Sequence, residues 1–282
     1  MGVFRALPHQ NPHKWGVSER WEEDGVGIEI DPCEWGGDAG SVRSILVTGG
    51  NGGLGLAISR YFLEHDPDVR MWLGVRSNRA QAEILSAEFP GRCREIDLEV
   101  TRPESWQAAI AAIIETDGRL DVLVNNAGMH RDNLLATMTD EAWHTVISAN
   151  LDAVFHGCRA VVTPMMRQRF GRIINISSLS AILPPLGQTN YAAAKAGVVA
   201  LGQTLAKETA RAGITVNSIL PGYIETDALA GMDDEARKAA RQGIPMRRFG
   251  KPAEVAAAVF FLASTDAGYI TGSSLKIDGG IF

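Results

Sequence analysis

The 282-residue chain is predicted to fold as a single α/β unit, a doubly wound parallel sheet flanked by helices, behind an N-terminal extension. Three observations lead there. Short apolar runs alternate with helical stretches from residue 42 to residue 282. The first apolar run enters a glycine-rich turn directly. Later runs end in Asn/Gly or Pro/Gly clusters, which alternation of this kind brings to one edge of a parallel sheet joined by right-handed crossovers.

Residues 1–41 stand apart. They hold Pro8, Pro12 and Pro32, three tryptophans (Trp15, Trp21, Trp35) and the acidic run Glu22-Glu23-Asp24, without a sustained period. Three tryptophans are too apolar for a purely solvating tail, so a partly ordered extension packing on the body or a neighbouring subunit is expected. Residues 42–282 form the predicted domain. Its strands are Ser44–Thr48, Arg70–Val75, Cys93–Ile96, Leu120–Val124, Arg172–Ile176, Thr215–Leu220 and Ser274–Ile277. Helices are expected over Leu54–His65, Pro103–Ile114, Asp140–Arg169, Tyr191–Arg211 and Pro252–Ala263. Thr139-Asp140-Glu141 and the prolines at 103 and 252 mark helix starts.

Composition narrows the function. With 45% hydrophobic and 21% charged residues the chain can build a full core. A net charge of −6 argues against nucleic acid or an anionic membrane as a generic partner. Cys33, Cys93 and Cys158 lack close spacing, so no metal site or disulfide framework is expected. Without an apolar run of membrane-spanning length or a signal-peptide pattern, the expectation is a soluble, cytoplasmic protein.

The first strand runs into Thr48-Gly49-Gly50-Asn51-Gly52-Gly53-Leu54-Gly55 and then a helix. Gly49 permits a tight turn, Gly53 and Gly55 let backbone approach a pyrophosphate, and amides at the helix start attract phosphate. Asp97, ending the third strand, is placed to accept from an adenine amino group; a helix-capping or solvated aspartate is the alternative. Asn125-Asn126-Ala127-Gly128 closes the fourth strand at the ligand-binding edge, or is an ordinary Asn/Gly turn. Val75 takes the place where an acidic residue would hold a ribose 2′-hydroxyl, and Arg76 and Ser77 follow, a pair suited to a 2′-phosphate. That favours NADP(H) over NAD(H), against the alternative of a solvated loop arginine.

Tyr191 and Lys195 lie four residues apart, just over one helical turn, with Ser178 upstream. An unperturbed phenol has a pKa near ~10 and is a weak acid–base group at neutral pH, and a neighbouring ammonium favours the phenolate. Ser178 can hold a carbonyl or hydroxyl against the phenol. This is machinery for moving a proton while a hydride is transferred elsewhere, although Tyr-x-x-x-Lys alone also arises by chance.

Taken together, these residues resemble the classical short-chain dehydrogenase/reductase family over roughly residues 41–282. The resemblance implies a Rossmann-type fold, Tyr191 as general acid/base, Ser178 as substrate orienter, Lys195 on the nicotinamide ribose, and Asn150 supporting a proton relay. It further implies cofactor contacts at Gly49, Asn51, Gly53, Leu54, Gly55, Arg76, Ser77, Asp97, Leu98, Asn125, Ala127, Gly128, Tyr191, Lys195, Pro221, Gly222, Ile224 and Thr226. Within the family, Arg131-Asp132-Asn133-Leu134-Leu135, Gly187-Gln188-Thr189-Asn190-Tyr191 and the Asp278-Gly279-Gly280 ending are similar to 3-oxoacyl-[acyl-carrier-protein] reductases. The expectation is an NADPH-dependent ketoreductase of a β-keto acyl thioester in fatty-acid, polyketide or polyene synthesis. The alternatives are an NADP-dependent dehydrogenase of a free small alcohol or ketone and an idle nucleotide-binding scaffold. An acidic carrier protein would need a local basic patch on this acidic chain, placed at Arg169 and Arg172. The family implies a homotetramer paired through the helices at 140–169 and 191–211.

Overall fold

The computed structural model describes residues 21–22, 25–26, 42–229 and 231–282. Of the extension, Trp21–Glu22 pairs antiparallel with Gly25–Val26; the expected packing of residues 1–41 lies otherwise outside the described residues.

Seven parallel strands form one sheet: β1 Arg43–Thr48, β2 Val69–Val75, β3 Cys93–Asp97, β4 Val122–Asn125, β5 Gly171–Ile176, β6 Ile214–Pro221 and β7 Ser274–Ile277. Their order is β3-β2-β1-β4-β5-β6-β7. The order reverses between β1 and β4, so the helices that follow these two neighbouring strands pack on opposite faces of the sheet, the arrangement that leaves a crevice at the carboxyl edge. All seven strands match the sequence expectation to within a few residues at each end. Because the central strands are covered on both faces, they read as continuous apolar runs; β1 and β4 are buried almost throughout.

Alternate side chains feed two cores. Ile45 and Val47 pack with Ile58 and Phe62 of α1 (Gly53–His65), Leu85 of α2 (Ala80–Glu88) and Val255 and Val259 of α8 (Pro252–Ala263). Leu46 and Leu123 face Trp106 and Ile113 of α3 (Pro103–Asp117), Val161 of α5 (Ala153–Gln168) and Val198 of α6 (Thr189–Thr209). Full burial of each such side chain stabilises the fold by about 1.5–3 kcal/mol before entropy is counted. α2 and α7 (Asp234–Gly243) were not anticipated: α2 has only a weak apolar face, and α7 buries no residue.

The helix expected over 140–169 is divided into three. α4 spans Asp140–Ile147, Ser148–Asp152 forms a π-helical turn, and α5 follows. Thr139 caps α4 by accepting from Ala142 N at 3.1 Å. The π turn carries Asn150 and rotates it relative to a regular helix, a distortion typical of functional positions. Likewise the helix expected to reach Arg211 ends at Thr209 and tightens into a 3-10 turn over Ala210–Ala212.

Candidate active site

A cavity of about 630 Å³ opens at the carboxyl edge of the sheet, within the range of small-ligand sites. Its walls bring together Gly49, Asn51, Gly53, Leu54 and Gly55 from the first turn, Arg76, Ser77 and Leu98 from the β2 and β3 ends, and Ala127 and Gly128 after β4. Ser178, Tyr191 and Lys195 close the other end, with Pro221, Gly222, Ile224 and Thr226 opposite.

The phosphate end is built from backbone. Gly49 turns with φ +65°, and a Cβ on Gly55 would sit well inside contact with Gly49 O and 2.9 Å from Asn126 Nδ2. Thr48 Oγ1 accepts from Asn126 N and Ala127 N, both at 2.9 Å, while Asn126 Nδ2 donates to Thr48 O at 2.9 Å. These bonds lock the β1 and β4 turns together. The cradle fits a pyrophosphate: its backbone is approachable and lies at the start of a 13-residue helix.

Two expected cofactor residues lie elsewhere. Asn125 is buried behind the cleft, donating to Asn175 Oδ1 at 2.9 Å and to Cys158 Sγ at 3.6 Å; its neighbour Asn126 lines the cleft instead. Asp97 points outward, 84% exposed, and pairs with Arg79. Beside the β3 end the carboxylate on the cleft wall is Glu99, whose Oε1 accepts from Thr101 Oγ1 at 2.9 Å and whose Oε2 lies 3.5 Å from Arg76 Nη1. Arg76 itself is 71% exposed, open to a further anion.

At the chemical end, Lys195 is buried and its Nζ donates to Ile176 O at 2.9 Å. The ammonium lies 5.6 Å from the Tyr191 ring centroid. Burial drives the Lys195 pKa down to about 8. For Tyr191, burial raises the pKa; Ser178, hydrogen-bonding to the phenol, opposes that shift, and Asp132 adds to it. The sequence led us to expect a phenol lowered by its lysine. In this structure desolvation is the largest influence on the phenol and raises its pKa, and Lys195 is engaged with a carbonyl. Asn150 stands just outside the wall: its Nδ2 donates to Met129 O at 2.7 Å and Val146 O at 2.8 Å. Its buried Oδ1 has no protein partner and faces Gly128, where a Cβ would lie 2.5 Å away. An orphaned acceptor there suits a bound water.

A family model described as enoyl-(acyl carrier protein) reductase matches residues 49–281. Among curated proteins, the chain is 41% identical over 237 residues to the 3-oxoacyl-[acyl-carrier-protein] reductase FabG of Vibrio harveyi, covering 84% of this chain and 96% of the relative. The same-named protein of Haemophilus influenzae is 43% identical over 237 residues, 84% of this chain and 97% of its own. That of Chlamydia muridarum is 39% identical over 240 residues, 85% and 97% respectively. The chain belongs to the short-chain dehydrogenase/reductase family. As a short-chain dehydrogenase/reductase it is an oxidoreductase that uses a nicotinamide cofactor.

Family membership does not rescue the expected basic docking pair. Arg172 is 4% exposed: its Nε donates to Ser264 O at 3.2 Å and its Nη1 to Gly171 O at 2.9 Å and Gly213 O at 3.2 Å. Its guanidinium also stacks 4.3 Å from the Phe170 ring centroid. It therefore cannot meet a partner. Arg169 is exposed and closes α5 in a left-handed conformation. It lies at the amino edge of β5, opposite the cleft of its own chain. Among the described residues, no group of three His, Cys, Asp or Glu could hold a metal, and no helix is long and apolar enough to cross a membrane.

Proposed function

We propose that the protein reduces the keto group of a β-keto acyl thioester on an acyl carrier protein, using NADPH, in fatty-acid biosynthesis. The observation that carries this reading is Ser178, Tyr191 and Lys195 on one cleft wall, joined to a glycine cradle and backed by Asn150. The name borne by the relatives supports the substrate class. NADPH, when bound, supplies the hydride. Ser178 holds the substrate oxygen, and Tyr191 gives its proton to that oxygen as charge develops there. A phenol with a raised pKa stays protonated at neutral pH, the state a donor in reduction requires. Lys195 retains its proton near neutrality and is assigned to the ribose, and the free Oδ1 of Asn150 is assigned to a water that restores the proton. Arg76 and Ser77 are the proposed 2′-phosphate contacts.

We further infer that residues 42–282 are the catalytic domain, that 1–41 are a separate extension, and that the protein is a cytoplasmic homotetramer. Of the docking pair, only Arg169 is exposed. Because it lies opposite its own cleft, the carrier it contacts would serve the cleft of another subunit.

The test is NADPH consumption with a series of β-keto thioesters, carrier-linked and free. Carrier-linked substrates should give the higher kcat/KM, and Tyr191→Phe should lower turnover by about 10²-fold or more with cofactor binding intact. Activity confined to free alcohols, or near-normal turnover by Tyr191→Phe, would remove the assignment.

A further inference from the structure

Two loops meet near the phenol of Tyr191: residues 129–135 after β4 and residues 182–188 before α6. Backbone ties them together, Asn133 N donating to Gly187 O at 2.8 Å. The side chain of Asn190 adds a bond to Arg131 O at 3.1 Å. A line of side chains then runs between them. His130 Nδ1 lies 3.2 Å from Asp132 Oδ1, and Gln188 Nε2 donates to Asp132 Oδ2 at 2.9 Å. Ser180 Oγ donates to Gln188 Oε1 at 2.9 Å, and Ser180 N donates to Ser178 Oγ at 3.1 Å. The His130 ring meets the Tyr191 ring edge-on at 6.2 Å between centroids. The chain thus starts beside the phenol and ends on the serine that serves it, passing through one carboxylate.

The direction of each bond matters. Gln188 donates to Asp132 and accepts from Ser180; the flipped amide would turn its oxygen toward the carboxylate, which can only accept, so Asp132 selects this orientation. Asp132 is the anchor that fixes this polarity. Its carboxylate also disfavours ionisation of the phenol. The other charged or titratable groups here are His130 on the same loop and Lys195 on α6. Arg131 is engaged with Glu141 of α4 at 3.6 Å.

We propose that Asp132 is a positioning residue for the reaction: through Gln188 and Ser180 it holds Ser178 in place beside the Tyr191 phenol. This rests on the reading of Tyr191 as proton donor, and it adds a determinant outside the Ser178–Tyr191–Lys195 set.

The experiment places 3-fluorotyrosine at position 191 of the full chain, bringing its ionisation into a milder pH range, and follows it by ¹⁹F NMR without substrate. Asp132→Asn should lower the midpoint, because it removes a negative charge that disfavours the phenolate. Gln188→Glu adds a carboxylate and should raise it. In otherwise native protein, Asp132→Asn should lower kcat several-fold while NADPH affinity, read by cofactor fluorescence, is unchanged. A midpoint unmoved in Asp132→Asn, shifts of the same sign in both variants, or an unchanged kcat would overturn the proposal. The titration uses no substrate, so a wrong substrate class would leave it intact and would show only in the thioester assays.

Discussion

Gly128→Ala tests how tightly the cleft wall is joined to the π turn behind it. The new methyl would lie 2.5 Å from Asn150 Oδ1 and 3.4 Å from Lys195 Nζ. The first distance is several tenths of an ångström inside contact, and Asn150 cannot simply retreat. It is fully buried and its Nδ2 holds Met129 O at 2.7 Å and Val146 O at 2.8 Å. Overpacking of this kind costs about 1–3 kcal/mol, and each hydrogen bond lost as the amide withdraws adds about 1 kcal/mol. A total of about 2–4 kcal/mol corresponds to a Tm lower by roughly 5–15 °C for a domain of this size. The assay is thermal unfolding in a double-mutant cycle with Asn150→Ala. If the clash is the cause, removing the amide relieves it, and the two losses should be less than additive by 1 kcal/mol or more, as expected for residues in contact. Additive losses, or a Gly128→Ala protein as stable as the wild type, would refute the reasoning.

Four further outcomes are expected. Arg76→Asp should weaken NADPH far more than NADH in fluorescence titrations, because it sets a second carboxylate beside Glu99 in place of the proposed 2′-phosphate partner; a wild-type preference for NADH would defeat the NADPH reading itself. Lys195 has a folded pKa of about 8 against an ordinary 10.5, so the fold penalises its cation fully below pH 8 and the penalty vanishes as pH rises to 10.5. Lys195→Met should therefore gain up to about 3 kcal/mol at pH 7, with the gain closing toward pH 10.5, while activity is lost; a stability difference independent of pH would contradict this. Arg172→Glu should cost about 3–5 kcal/mol and harm carrier-linked and free substrates alike, since it buries a carboxylate among the carbonyls of Ser264, Gly171 and Gly213. Exposed Arg169→Glu should leave Tm nearly unchanged.

The strands and the glycine cradle were legible because both are local: an apolar run and a Gly-x-x-x-Gly-x-Gly spacing carry their own physics. Ser178, Tyr191 and Lys195 were legible for a similar reason, as a helical spacing plus one upstream hydroxyl. What escaped depends on the third dimension. A π turn leaves the 3.6-residue pattern intact on either side, so Ser148–Asp152 read as part of one long helix. Asn125 and Asn126 have the same chemistry, and only the turn after β4 decides which faces the cleft. Glu99 is brought to the wall by the chain bending after β3, which left Asp97 as the visible carboxylate. Arg172 stands at a strand start in a basic run and read as surface, yet it is buried against the carbonyls of its neighbour Gly171 and of the distant Gly213 and Ser264. The Asp132–Gln188–Ser180 line joins residues up to 56 positions apart and leaves no trace in local spacing.

The amino edge of the sheet has a different character from the carboxyl edge. There the Asp117 carboxylate accepts from Ser44 Oγ at 2.9 Å, Arg70 Nη1 at 2.9 Å and Trp72 Nε1 at 2.7 Å, and Asp121 accepts from Ser44 N at 2.9 Å. These bonds clamp helix ends to strand starts and lie a strand's length from the cleft. The two edges should therefore answer differently to engineering. Variants confined to the Asp117 edge change heat tolerance without altering a group that lines the cleft, whereas variants at the cleft wall, such as Gly128→Ala, change the site and the melting point together.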